Sequence, residues 1–358
     1  MNVKILHVGE YVNGGVATYL KTLIDGLQQY KDIDTYLLMS EYKSQKDWGS
    51  APKKVIYYKY KRNIFNIFSA IRQIHSVINE IKPDIIHVHS SWAGLFVRLP
   101  YLFKRKQSKI IYTAHGWSFI MDTSNLKKNI YAFTERILSM VTDKIINISK
   151  YEENMAIKFG LSKNKMVMIY NGVKDKKINI TDNNLRKENK INLLFVGRLD
   201  KTKGIDILLD VYNHDKFKNL HLYIIGNSVL DNIQIENSTR ITYLGWINND
   251  KIDKYYQMCD VVIMPSRWDG FGLVAIEAMR NSKPVIASNR GALPELIKNG
   301  INGYIFNLND KNSLKNILEK IDNNTLSMLG KNGREIYIKD FIDQIFIKKI
   351  YNLYLNIY

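Results

Sequence analysis

Short apolar runs alternate with longer stretches of helical period along this chain. Val3–Val8 is a run of strand type. Val16, Tyr19, Leu20, Leu23, Ile24 and Leu27 then recur at three- and four-residue steps, which is one face of a helix. Further strands are predicted at Thr35–Met39, Val55–Tyr58, Ile85–His89, Ile110–Thr113, Lys144–Ile148 and Val167–Tyr170, with helices over Ile64–Ile81 and Lys127–Met140. The pattern fails from Lys174 to Lys190, where Lys, Asn and Asp dominate, and this stretch reads as a linker. Strands resume at Leu193–Val196, Leu222–Ile225, Ile241–Leu244, Val261–Met264, Val285–Ala287 and Tyr304–Phe306. Such alternation implies parallel sheets covered on both faces. Two α/β domains are therefore expected, residues 1–175 and 176–340. A last stripe, Ile342, Ile345, Phe346, Ile350, Leu353, Tyr354 and Ile357, keeps helical spacing over residues 341–358 and needs a surface to bury against, expected on the first domain.

Charge adds a question about partners. The 358 residues carry 52 Lys and Arg against 34 Asp and Glu, a net +18. Residues 1–175 hold 26 basic and 14 acidic side chains, and the remainder 26 and 20. No acidic residue interrupts Lys53, Lys54, Lys59, Lys61 and Arg62, nor Arg98, Lys104, Arg105, Lys106 and Lys109. Tyr57, Tyr58, Tyr60, Phe65, Phe68, Tyr101, Leu102 and Phe103 lie among these cations. On charge alone a solvated face ranks first, an anionic bilayer second and a nucleic-acid backbone third. The single cysteine, Cys259, excludes an intrachain disulfide framework and a Cys-rich zinc site, and fits a reducing compartment. No apolar leader follows Met1, and the longest run without Asp, Glu, Lys or Arg, Ile85–Val97, is too short to span a bilayer. A cytoplasmic chain, soluble or peripheral, is expected.

Candidate chemistry is densest from Met264 to Glu295. A strand ends near Pro265, a turn bearing Gly270 and Gly272 follows, and a helix is predicted from about Leu273. Free N–H groups at a helix start, with the helix dipole, make an anion site, and glycine lets a phosphate reach the backbone. Glu277, one turn further on, is placed to accept from a ribose, and Asp269 to bind sugar hydroxyls. Gly270, Gly272 and Ala275 also fit G-x-G-x-x-A, but that dinucleotide fingerprint belongs after the first strand of its domain. In VGRLDKTKG (Val196–Gly204), Arg198 and Lys203 leave a strand's carboxyl end, where two cations can neutralise a diphosphate.

In the first domain, Gly14 and Gly15 open the first helix as a second phosphate cradle, and His115 follows a strand in TAHGW. His87 and His89 share one strand face, yet no third ligand stands near them in sequence, so they are read as packing or site-lining and no metal site is assigned. Asp32-Ile33-Asp34 matches D-x-D but falls at the amino end of its strand, the wrong side of the sheet.

Taken together, GGVATYL (Gly14–Leu20), HVHSSWAG (His87–Gly94), TAHGW (Thr113–Trp117), ISKYEE (Ile148–Glu153), YNGV (Tyr170–Val173), VGRLDKTKG, DGFGLVAIE and GALPE (Gly291–Glu295) resemble family 4 glycosyltransferases, the retaining group with the GT-B fold, among them enzymes of bacterial cell-surface polysaccharides. The resemblance implies two Rossmann-like domains facing each other across a cleft, with the C-terminal helix crossing back to the first. It implies a nucleotide-sugar donor, with UDP the expected nucleotide, held by the second domain and a polyprenyl-diphosphate-linked or glycan acceptor held by the first. Arg198 and Lys203 match the residues that hold the donor diphosphate, Leu273 and Val274 the phosphate-contacting amides after Gly272, and Glu277 the ribose-binding second acid of an E-x7-E motif. Gly15 matches the loop that closes over the donor and His115 the histidine near the transferred sugar. Asp269 stands where the motif's first acid is usually Glu, one methylene shorter. Metal-independent transfer without a cofactor, at the inner face of the cell membrane and without nucleic acid, is the expectation. The rival readings are a sugar-nucleotide epimerase or phosphorylase on the same fold, a basic nucleic-acid-binding protein, and an NAD-dependent dehydrogenase.

Overall fold

The computed structural model describes residues 2–49, 51–176, 185–212, 217–228, 235, 237–249 and 251–358. The middle of the expected linker, 177–184, lies outside the described residues. The chain forms two compact units, residues 1–174 with 343–358, and residues 175–342.

In the first unit β1 (Val3–Gly9), β2 (Ile33–Ser40), β3 (Lys54–Tyr58), β4 (Ile85–His89), β5 (Lys109–Thr113), β6 (Lys144–Asn147) and β7 (Met166–Met168) make one sheet in the order β3-β2-β1-β4-β5-β6-β7. Every pairing is parallel. β4 is buried along its whole length, as a central strand covered on both faces must be. The helix Gly14–Leu27 joins β1 to β2, moving one way across the sheet. Helices Ile67–Ile81, Ser91–Arg98 and Asn125–Ser139 connect β3 through β6, moving the other way. Because parallel crossovers are right-handed, these two sets cover opposite faces.

The second unit repeats this plan. β8 (Ile191–Val196), β9 (Leu220–Ile225), β10 (Ile241–Gly245), β11 (Val261–Met264), β12 (Val285–Ser288) and β13 (Gly303–Phe306) form a parallel sheet ordered β10-β9-β8-β11-β12-β13. In each unit the strand order reverses direction beside the first strand, at β1/β4 and at β8/β11. Ligands of open α/β sheets bind at the carboxyl ends of strands flanking that point.

The helix Asp343–Ile357 packs in the first unit, where Phe346, Ile347, Ile350 and Tyr354 join the core formed with the helix Gly14–Leu27. A side chain at Gly26 would meet Ile347 Cδ1 at 2.1 Å, so the two helices touch nearly backbone to side chain. Of the expected stripe, Phe346, Ile350 and Tyr354 are in the core and Leu353 and Ile357 pack against it; Ile347 joins them, Ile345 is half-buried, and Ile342 precedes the helix in extended conformation.

Three side chains expected at a charged surface are core instead. Arg98 is fully buried, donating to the Glu135 carboxylate at 2.8 Å and to the Gly94 carbonyl at 2.9 Å, with its guanidinium 3.8 Å above the Tyr112 ring. Tyr58 and Tyr60 also turn inward, and the Tyr58 hydroxyl donates to the Gly9 carbonyl at 2.9 Å. Asp34 is the second residue of β2, at the amino edge, and pairs with Lys53 at 2.9 Å. That pairing fits an exposed strand end rather than a ligand site.

Candidate active site

The second unit assembles its site from the loops after β8, β11 and β12. Two glycines make their close approach possible. A Cβ at Gly204 (φ 70°) would sit 2.0 Å from the Pro265 carbonyl oxygen, and one at Gly291 (φ 58°) 2.1 Å from the Asp269 carbonyl oxygen. Backbone hydrogen bonds fix the same contacts, Arg267 N–H to the Thr202 carbonyl at 2.8 Å and Ala292 N–H to the Asp269 carbonyl at 3.1 Å. Lys203 thereby meets Asp269, Nζ to Oδ2 at 2.6 Å, although 66 residues separate them. Arg198 is held apart from that pair, its Nε 3.1 Å from the buried Asp200 carboxylate. Asp200 also accepts from the Lys203 backbone N–H at 3.0 Å, so one carboxylate orders both cations of the loop.

The helix Leu273–Arg280 starts immediately after this turn, with Gly272 as its N-cap in left-handed conformation (φ 100°) and no side-chain cap. Leu273 and Val274 are half-buried and occupy the first two positions, whose N–H groups have no intrahelical partner. Glu277 lies on the same helix, only 9% exposed, and accepts from the Tyr256 hydroxyl at 2.8 Å. Burial pushes its carboxyl up to about 7, with the Tyr256 bond and nearby Lys176 drawing it part of the way back. Tyr256 lies in none of the sequence motifs, and Asp200 lies in VGRLDKTKG without a role read for it there. Asp200 was within reach, three residues from Lys203, whereas Tyr256 meets Glu277 only through the packing of two helices.

In the first unit, Gly14 opens its helix at φ 54°, with the Asn13 side chain accepting from the Gly14 N–H at 2.8 Å, and Gly14 and Gly15 are both exposed. His115 sits past the carboxyl end of β5 in the left-handed region at φ 52°, a conformation uncommon for non-glycine residues. Its Nε2 is 3.0 Å from His89 Nδ1, and the Tyr19 ring packs edge-on at 4.5 Å.

The pair His87 and His89 gains a third histidine that sequence spacing did not reveal. His7 on β1 lies in register with His87 on the neighbouring β4, so His7, His87 and His89 hold ring nitrogens within 4.8 Å of one another. His7 Nδ1 is 3.2 Å from His89 Nε2. His87 is engaged on both sides, by the Tyr354 hydroxyl at 2.6 Å and the Thr113 hydroxyl at 2.8 Å, and has no nitrogen left to share in a metal site. The cluster is a hydrogen-bonded core feature reaching up to His115.

Comparison with known proteins matches each half of the chain to a family. The model for Glycosyltransferase Family 4 covers residues 13–177, and that for Glycosyl transferases group 1 covers residues 176–336. An uncharacterized 41.2 kDa protein of the Klebsiella pneumoniae cps region is 38% identical, covering 99% of both chains. The uncharacterized glycosyltransferase MJ1178 of Methanocaldococcus jannaschii is 33% identical over 90% of this chain and 89% of its own. The Escherichia coli UDP-Gal:alpha-D-GlcNAc-diphosphoundecaprenol alpha-1,3-galactosyltransferase is 26% identical over 82% of this chain and 81% of its own. Among solved structures, sucrose-phosphate synthase of Thermosynechococcus elongatus superposes with a TM-score of 0.84 at 20% identity, covering 99% of both chains. Anabaena Alr3699/HepE in complex with UDP-glucose superposes at 0.82 and 19% identity, covering 99% of this chain and 100% of its own. Two Rossmann-like sheets, the two family matches in sequence order, and a full-length relative at 38% identity agree: the chain is a GT-B protein and belongs to the family 4 glycosyltransferases.

Proposed function

We propose that the protein moves a sugar from a UDP-sugar to a polyprenyl-diphosphate-linked acceptor, with retention at the anomeric carbon, in the assembly of a cell-surface polysaccharide. The observation that carries this reading is the Lys203–Asp269 pair set beside the uncapped start of the helix Leu273–Arg280. A cation, a carboxylate and free N–H groups together suit a sugar joined to a diphosphate. The donor and acceptor classes are supported by the names of the Escherichia coli galactosyltransferase and of the UDP-glucose complex.

In the proposed reaction the acceptor hydroxyl attacks the anomeric carbon on the face from which the diphosphate departs. The new C–O bond forms as the bond to the diphosphate breaks, and a departing diphosphate oxygen takes the acceptor proton. Arg198, Lys203 and the Leu273 and Val274 amides offset the charge that develops there, which leaves no task for a metal ion. Glu277 accepts from the ribose hydroxyls, Asp269 from the sugar, Gly14 and Gly15 close over the donor, and His115 stands near the transferred sugar.

The acceptor is lipid-linked in this reading, and the first unit carries a surface that suits a bilayer. Phe65, Phe68 and Phe103 are each more than 80% exposed. The helix Asn125–Ser139 turns Leu126, Ile130 and Phe133 outward, and Met140 follows them, while Ala132 and Leu138 face the core. A groove of about 1030 Å³ is lined by Arg72, Lys82, Lys104, Arg105 and Lys109 together with Tyr101, and in the chain Phe68 lies one helical turn before Arg72 and Phe103 directly before Lys104. Cations beside rings that can enter the headgroup zone are the composition of an interfacial surface. Among the described residues no helix is long and apolar enough to cross a membrane.

The test is mass spectrometry of products formed from a panel of nucleotide-sugars and polyprenyl-diphosphate-linked acceptors. Transfer from one UDP-sugar is expected, with a loss of about a hundredfold or more in Lys203→Ala. Interconversion of free nucleotide-sugars without transfer, or a wild-type rate in Lys203→Ala, overturns the reading.

A further inference from the structure

Three histidines of the first unit, His115, His89 and His7, form an ordered line. His115 Nε2 faces His89 Nδ1 at 3.0 Å, and His89 Nε2 faces His7 Nδ1 at 3.2 Å. The line starts at a partly exposed residue beyond β5 and ends in the core, where His7 is fully buried and its Nε2 has no hydrogen-bond partner among the described residues. His115 makes no hydrogen bond through Nδ1 with the described residues.

Proton counting limits what such a line can do. Burial holds the His7 and His115 rings down to about 3 and His89 well below the usual histidine range, so each ring is neutral and carries one proton. Each of the two links needs one N–H and one lone pair. His89 is in both links and has a single proton, so only two arrangements satisfy the geometry. In the inward one, His115 donates through Nε2, His89 donates through Nε2, and His7 is left with a buried Nε2–H that meets no acceptor. In the outward one, His7 donates through Nδ1, His89 donates through Nδ1, and the remaining proton sits on His115 Nδ1. The inward order strands a donor in the core. The outward order leaves only an unmet lone pair there and delivers the spare N–H to the exposed end. Buried donors without partners are rarer in folded proteins than under-satisfied acceptors.

We infer that the line is polarised outward, so that His89 and His7 are positioning residues that lock His115 as a neutral Nδ1–H donor. In the proposed transfer, which this role of His115 rests on, the donor would hydrogen-bond a hydroxyl oxygen of the sugar being moved. It would not act as a base, since its one lone pair is spent on His89. The proton order itself does not depend on that reading.

Imidazole NMR of the full chain labelled with ¹⁵N-histidine tests it, with resonances assigned through single His7, His89 and His115 variants. The expected result is the Nδ1–H tautomer at all three positions, opposite to the one free histidine favours. Nε2–H at all three overturns the inference, whether or not any sugar transfer is ever detected, and where a variant fails to fold, nuclear Overhauser contacts among the rings assign the wild-type resonances. Two kinetic comparisons then test the consequence. His115→Asn keeps an N–H donor near the Nδ1 position and tolerates the left-handed backbone, whereas His115→Asp has the same shape without the donor. Asn is expected to retain at least about ten times the turnover of Asp. His7→Phe, which frees His89 to reverse, is expected to give mixed His115 tautomers and about a tenfold lower kcat with little change in donor KM. Equal turnover in the Asn and Asp variants, or wild-type kcat in His7→Phe with mixed tautomers, overturns the positioning role.

Discussion

Glu277 shows how a single buried side chain ties stability to pH. Its carboxyl ionises near 4.5 in an unfolded chain and at about 7 in the folded protein. Within that window the folded state holds a proton that the unfolded chain has released. Stability therefore falls as pH rises through it and stays at the lower value above 7, a difference on the order of 3 kcal/mol. Glu277→Gln has no charge to bury and can still accept from Tyr256. It is expected to melt several degrees above wild type at about pH 8 and close to wild type at about pH 5, while nucleotide-sugar binding weakens about tenfold or more. Equal melting temperatures at the higher pH would remove the burial cost. The position of Glu277 was legible from its spacing to Asp269, because both lie in one short segment. Its hydroxyl partner was not, because Tyr256 is on another helix. The contact of Lys203 with Asp269 likewise depends on two loops meeting at the carboxyl edge of a sheet, which no local pattern records.

At the level of elements, the strands were the readable part. β4 and β11 begin and end where their apolar runs do, and the others differ by a residue or two at their ends, where pairing rather than hydropathy decides the boundary. Helices were harder. The stretch Ile64–Ile81 starts as a tight 3-10 turn over Ile64–Asn66, capped by the Asn63 side chain accepting from the Phe65 N–H at 3.1 Å, before becoming α-helical. The helix Asn125–Ser139 has apolar residues on two faces, and periodicity alone does not tell which one is covered. His7 meets His87 across 80 residues, which requires knowing that β1 neighbours β4. Turns make a sharper prediction. Gly291 and Gly300 share left-handed φ values of 58° and 74°, but a Cβ at Gly291 would strike the Asp269 backbone whereas Gly300 faces open space. Gly300→Ala is expected to cost about 1 kcal/mol in denaturant unfolding, the conformational term alone. Gly291→Ala should cost more and lower donor affinity, since the turn bearing Asp269 must shift. Equal costs with unchanged affinity would separate that turn from the site.

For the whole molecule, the opening question was what the excess positive charge faces. Arg98 has left that tally, since its partner is Glu135, and so have the rings of Tyr58 and Tyr60. What remains outside includes Lys104 and Arg105 and, among exposed rings of the first unit, Phe65, Phe68, Phe103 and Phe133. Binding to vesicles is expected to rise with anionic lipid content and to fall in about 0.5 M salt, where exposed charges are screened. Replacing Phe65, Phe68 and Phe133 together by Ser is expected to lower vesicle affinity about tenfold or more while leaving the far-UV spectrum unchanged. Sedimentation with liposomes reads both effects, and binding indifferent to anionic lipid would end the membrane assignment.

The helix Asp343–Ile357 has a consequence for how the protein is made. It belongs to the core of the first unit, yet the chain reaches it only after the whole of 175–342. On the ribosome the second unit is thus synthesised in full while the first still lacks Phe346, Ile350 and Tyr354, the side chains that cover Tyr19 and engage His87. The usual order of synthesis, with the earlier unit folding first, is inverted in its last step. A nascent chain halted before Asp343 would carry a finished second unit and an open apolar groove in the first, a natural client for a chaperone.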